Sequence, residues 1–151
     1  MKDSVAEHGP RTLHPKLTGT EGRVDVTHVA GQTYAVFVRD HELIVSQPVD
    51  AGGDDDGPTP VELFVSSLAT CVAYYAGRFL ERHRLPYDNL KVRAGFVMAS
   101  TRPARIEAIH MRILVPERLS AQQYAALLAV VDHCTVHNVL RTPPEIVVTA
   151  D

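Results

Sequence analysis

The fold turns on Thr59-Pro60-Val61-Glu62-Leu63-Phe64-Val65-Ser66-Ser67-Leu68-Ala69-Thr70-Cys71-Val72-Ala73-Tyr74-Tyr75-Ala76. The stretch opens with three helix-start signals together. Thr59 can cap, Pro60 stands at the first helical position where its missing N–H costs nothing, and Glu62 can return the cap's hydrogen bond from three residues on. Apolar residues then fall on nearly every face until Ala76, and Pro86 stops the run beyond Arg84. A helix apolar all round needs cover on every side, so the pattern predicts a central buried helix running from Val61 towards Arg84. Ser66, Ser67, Thr70, Tyr74, Tyr75 and Arg78 interrupt residues 63–80, a composition read as too polar for a bilayer span.

Outward towards the N-terminus, Pro48 to Pro58 carries Gly52, Gly53, Gly57 and the acidic run Asp54-Asp55-Asp56, which reads as a long exposed loop. Before it, Val24 and Val26, then Tyr34, Val36 and Val38, then Leu43 and Val45 alternate with polar residues around two turn signals. This predicts a three-strand antiparallel meander. Residues 1–20 lack periodicity and read as a flexible leader ahead of a single domain, 21–151; they also lack the apolar core of a signal peptide.

Outward towards the C-terminus, Leu90, Val92, Ala94, Phe96 and Met98 and then Ile109, Met111, Ile113 and Val115 alternate, predicting a hairpin across Ser100 to Ala104. Ser120 and Gln123 repeat the capping box, and Tyr124, Leu127, Leu128 and Val131 mark one face of a second helix reaching His133. A short turn to Leu140, the stop Thr142-Pro143-Pro144 and a final strand over Ile146-Val147-Val148 complete the expected order βββαββαβ. Hairpins segregated around two helices make the class α+β. One six-stranded sheet and a second helix cover an all-round apolar helix poorly, so a homodimer is expected.

The 151 residues, 45% hydrophobic, suit one domain of ordinary size. A net charge of −3 leaves no basic excess for phosphates, so nucleic acid is not an expected partner, nor is a membrane. The chain reads as cytoplasmic, where two cysteines are thiols rather than a disulfide scaffold.

Cys71, in the central helix, and Cys134, at the end of the second, can converge although far apart in sequence. Each alone could be a small buried hydrophobe. As a pair they suit oxidation chemistry, in which one thiolate attacks a peroxide and the resulting sulfenic acid condenses with the other thiol. Such a thiolate needs a cation nearby, since Cys71 lies too deep for the helix N-terminus to help. Arg78 is the local candidate, with Tyr74 and Tyr75 as hydrogen-bond donors, although an arginine reaching for solvent and two packing tyrosines are the plainer readings. His133, Cys134 and His137 have ligand-like spacing but no second cluster to complete a zinc site, and Asp54 to Asp56 lack the spacing of a calcium loop; no metal and no cofactor are expected.

Gly57-Pro58-Thr59-Pro60-Val61-Glu62-Leu63-Phe64 through Ser67-Leu68-Ala69-Thr70-Cys71, with His133-Cys134-Thr135-Val136-His137-Asn138 downstream, resembles the OsmC/Ohr family. The resemblance covers nearly everything from Arg23 to Ala150. It implies an intertwined α+β homodimer with two central helices packed between antiparallel sheets. In the family's peroxidases the first cysteine is peroxidatic and the second resolving, roles that pass to Cys71 and Cys134. Their substrates are organic hydroperoxides and their reductants dithiols. Two departures stand out. The family's glutamate, ten residues before the first cysteine, is Val61 here, leaving Glu62 half a turn away as a stand-in. The activating arginine of the meander is not matched in its pattern, Arg39 and Arg23 being the nearest arginines. The resemblance thus supports two functions: a thiol-dependent hydroperoxide reductase of oxidative stress defence, using Cys71 and Cys134 with Glu62 and Arg39 as candidate assistants, or a non-catalytic small-molecule binding or redox-sensing module that lacks the activating pair.

Overall fold

The computed structural model describes residues 22–150, so the expected leader 1–20 lies outside the described residues. Three strands, β1 (Asp25–Ala30), β2 (Thr33–Val38) and β3 (His41–Val45), form one antiparallel sheet in sequence order. Gly31 turns the chain between β1 and β2 at φ +51°, and Arg39 does the same between β2 and β3 at φ +54°. Among the described residues, a second antiparallel sheet holds β4 (Lys91–Met98) and β5 (Ile106–Leu114). The helices are α1 (Pro60–Arg82), α2 (Ala121–Val131) and α3 (Thr135–Arg141).

Both capping boxes form. The Glu62 N–H donates to Thr59 Oγ1 at 3.2 Å while the Thr59 N–H donates to Glu62 Oε2 at 2.8 Å. Ser120 and Gln123 repeat the exchange at the start of α2 at 3.1 and 2.9 Å. At its other end α1 stops at Arg82 because Arg84 enters the left-handed region and lets the Leu85 N–H reach the Leu80 carbonyl at 2.9 Å.

The acidic loop between β3 and α1 is tied down rather than loose. The Ser46 N–H donates to the Pro58 carbonyl and the Asp55 N–H to the Gln47 carbonyl. The Thr33 hydroxyl, buried beside that of Ser46, donates to Asp56 Oδ2 at 3.2 Å. Gly53 and Gly57 permit this approach, since a Cβ at either would collide with the backbone of Gln47 or Ile44.

One stripe of α1, Leu68, Val72, Ala76, Phe79 and Leu80, builds the core with Leu127 and Val131 of α2 and with Cys134. Val92, Ile109, Met111 and Ile113 close it from the two-stranded sheet. Leu80 and Leu127 are fully buried, which stabilises the fold by roughly 1.5–3 kcal/mol each. By length and composition α1 would in fact suffice to cross a bilayer, contrary to the reading of 63–80 as too polar; its apolar stripe lies instead in this core.

Three expectations need correction. The order among the described residues is βββαββαα, still α+β, because residues 135–141 form α3 where a turn was expected and Ile146-Val147-Val148 form no strand. That tail is apolar but pairs with none of the five described strands, and Pro143 and Pro144 before it carry no N–H for a ladder. The strands make two sheets, of three and two, rather than one of six. Finally, α1 is covered along one stripe only, leaving Phe64 and Tyr74 exposed. The apolar face of the meander, with Val24, Val26, Tyr34 and Leu43, is exposed too.

Candidate thiol site

Cys71 lies in the fourth turn of α1, half-buried at the edge of the core cluster. Cys134 follows α2 by two residues and stands as the N-cap of α3, with φ −65° and ψ 148° and no exposed surface. Sixty-three positions apart in sequence, the two are neighbours in space, and both are free thiols. Burial pushes the Cys134 thiol up from its ordinary pKa; the adjoining Cys71 adds to this through a side-chain hydrogen bond and its charge. The backbone N–H groups of His137 and Val136, at the start of α3, pull the other way.

A hydroxyl pair runs beside the thiol pair. Tyr75, one turn after Cys71, meets Thr135, one residue after Cys134, with the two oxygens 3.1 Å apart. The neighbouring Tyr74 packs edge-on against Tyr75 and accepts a hydrogen bond from Arg78 Nη1 at 3.2 Å. Arg78 therefore turns to the phenol one turn back on its own helix, and the phenol hydrogen bond is the first cause raising its pKa. This is the solvent-side reading of Arg78, and the two tyrosines serve one another's neighbours instead of a thiolate.

The other candidates lie elsewhere. The Glu62 carboxylate is taken up by the Thr59 backbone N–H and hydroxyl, and these bonds hold its pKa below the usual carboxylate range. Arg39 occupies the exposed β2–β3 turn, while Arg23 chelates Asp25 at 2.8–3.0 Å. Among the described residues, none of these three is hydrogen-bonded to Cys71. His137 Nδ1 stands 3.8 Å from Asp132 Oδ1, and no three His, Cys, Asp or Glu among the described residues are grouped to hold a metal.

Sequence reasoning passed over Asp132 and Arg141. Arg141 Nη2 donates to Asp132 Oδ1 at 2.6 Å and Nη1 to the Asp132 carbonyl at 2.9 Å, closing the segment that carries Cys134. An acid and a base nine residues apart match no helical spacing, so only the helix break at Cys134 brings them together.

Two grooves flank the α1–α2 contact. The larger, about 740 Å³, is walled by Val72, Met111, Ile113, Tyr124 and Leu127. The smaller, about 400 Å³, lies under Tyr74, Tyr75 and Phe79, with Arg78, Arg82 and His83 at its wall.

Residues 53–149, from the acidic loop to the tail, match the family model described as OsmC-like protein. The chain belongs to that family. Solved structures place this OsmC-like protein beside a Psychrobacter arcticus protein named for osmotic stress induction and detoxification response. That match has a TM-score of 0.73 at 21% identity, covering 82% of this chain and 90% of the other. An organic hydroperoxide resistance protein OsmC from Legionella pneumophila aligns at TM-score 0.63 and 17% identity, over 83% and 92% of the two chains. An organic hydroperoxide resistance protein from Elizabethkingia anophelis aligns at 0.63 and 19%, over 85% and 92%. At these identities the likeness is one of fold. No curated protein matches the OsmC-like chain at comparable significance.

Proposed function

We propose that this OsmC-like protein reduces organic hydroperoxides with Cys71 as the attacking thiol and Cys134 as the resolving one, working as a homodimer in oxidative stress defence. The observation that carries the reading is the pairing of a half-buried thiol with a fully buried one at the junction of α1 and α3. The thiolate of Cys71 attacks the peroxide O–O bond, forming S–O and releasing the alcohol once the leaving alkoxide takes a proton. Cys134 then displaces hydroxide from the sulfenic acid, giving water and a Cys71–Cys134 disulfide, which an external dithiol reduces. The homologous fold of two proteins named for organic hydroperoxide resistance supports the substrate class.

A second reading, a non-catalytic binding or redox-sensing module, is favoured by the engagement of the charged candidates elsewhere: Glu62 in its cap, Arg78 on Tyr74, Arg23 on Asp25. The homodimer is supported by the exposed apolar face of the meander and by Phe64 and Tyr74 on α1, surfaces that a second copy is suited to cover.

Counting free thiols after one equivalent of cumene hydroperoxide separates the two. A reductase loses both thiols together, and Cys71→Ser abolishes the loss; a binding module keeps both.

A further inference from the structure

The thiol assigned the resolving role lies at a break between two helices, its sulfur in the core. Cys134 belongs to neither helix: α2 ends at Val131, α3 begins at Thr135, and between them the chain leaves helical geometry. Its side chain caps nothing through a conventional hydrogen bond, and α3 is seven residues long with no fully buried residue. A helix that short does not hold itself in water, so something outside it must fix the position of Cys134.

Three contacts do so. Thr135 is moored to Tyr75 of α1, one turn from Cys71. Asn138 Nδ2 donates to the His133 carbonyl at 3.2 Å, drawing the second turn of α3 back over the junction. Arg141, in the last turn, reaches back to Asp132 with its two terminal guanidinium nitrogens, one on the carboxylate and one on the backbone carbonyl. The fork thus satisfies a carbonyl at the end of α2 and pins the end of α3 to it, with Cys134 inside the closed segment.

We infer that Asp132 and Arg141 are positioning residues for Cys134: their clip holds the buried thiol against Cys71 and so sets the rate of disulfide closure, without touching the peroxide. The inference rests on the hydroperoxide reading, because it concerns the second step, Cys71–SOH plus Cys134–SH giving the disulfide and water. It predicts that the two steps respond differently to the loss of the clip. A sulfenic acid that waits longer for its partner is also exposed longer to a second peroxide, so over-oxidation rises as closure slows.

The test is rapid mixing of the full chain with one equivalent of cumene hydroperoxide. Cumyl alcohol reports the first step, and the Cys71–Cys134 disulfide, measured by mass after acid quench, reports the second. In Arg141→Gln, alcohol forms at close to the wild-type rate. Closure slows roughly fivefold, the loss expected from one exposed ion pair. Dimedone then traps more Cys71 sulfenic acid than in the wild type. Arg141→Lys, which keeps the charge but loses the fork, recovers only part of the rate. Asp132→Asn slows closure as Arg141→Gln does, and the double variant slows it no further. Near-UV circular dichroism confirms that each variant is folded. Wild-type closure in a folded Arg141→Gln protein overturns the inference alone, as does slowing of both steps by the same factor. Absence of cumyl alcohol from the wild-type protein overturns the hydroperoxide reading and the inference with it.

Discussion

The meander and the body built on α1 are written in the same apolar alphabet, yet they use it differently. In the body, the α1 stripe Leu68, Val72, Ala76 and Phe79 meets α2 and the inward residues of β4 and β5, and the result is a core within one chain. In the meander, Val26, Val36 and Leu43 stand opposite one another across three strands on one face, but Val26 and Leu43 remain exposed. What the three-stranded sheet buries most deeply is partly polar: Thr33 and Ser46, satisfied by each other and by Asp56. Alternation tells which face of a sheet is apolar. It does not tell whether the cover comes from the same chain.

That contrast can be broken at its strongest point. Leu80→Ala, in the core, should lower stability by about 2–5 kcal/mol in urea unfolding, through lost burial and the cavity left behind. Leu43→Ala, on the open face of the meander, should cost under about 0.5 kcal/mol if that face meets water, as for other surface positions. A Leu43→Ala cost approaching that of Leu80→Ala would mean the face is covered in solution. Val26→Asp then sharpens the point. If a second copy supplies the cover, light scattering should give a dimer for the wild-type protein and a smaller or aggregated species for the variant; a stable wild-type monomer at micromolar concentration would leave the meander uncovered.

A smaller effect is expected at the joint between the two regions. Thr59→Ala removes the acceptor for the Glu62 N–H and should cost about 1 kcal/mol of stability. The smallest concerns Cys134, whose thiol burial holds above its ordinary pKa. The folded chain therefore keeps that proton more tightly than the unfolded one. Its contribution is full below the unfolded thiol value of about 8.5 and declines as pH rises through the higher folded value. Melting curves between pH 8 and 10 should fall more steeply for the wild-type protein than for Cys134→Ser, which has no thiol to ionise; parallel slopes would show that the buried sulfur does not report on folding.

The elements legible in the sequence are those whose signals are local. Both capping boxes, the meander, the hairpin and the two long helices follow from residues within a few positions of one another, and each stands in the structure close to the expected bounds. The helix α3 was not legible, because Cys134 is no capping residue and its stabilisers come from Tyr75 and Asp132, outside the segment. The tail 146–148 was misread for the opposite reason: its β-branched run is strand-like locally, yet it pairs with none of the five described strands. At the site, the sequence identified the two thiols by type, whereas the fate of each charged candidate depended on a competitor. Arg78 had a phenol four residues back, and Glu62 had the cap it begins.

Gly57 has a bearing on how the chain can be engineered. Where its Cβ would be, the Ile44 carbonyl stands, so the link from β3 to the helix bearing Cys71 has no slack. A reporter or affinity tag spliced beside this glycine should unseat the loop from β3 just ahead of the cap of α1. The exposed Ser100–Ala104 connection, at the far end of the β4–β5 hairpin, offers an insertion point that leaves both thiols in register.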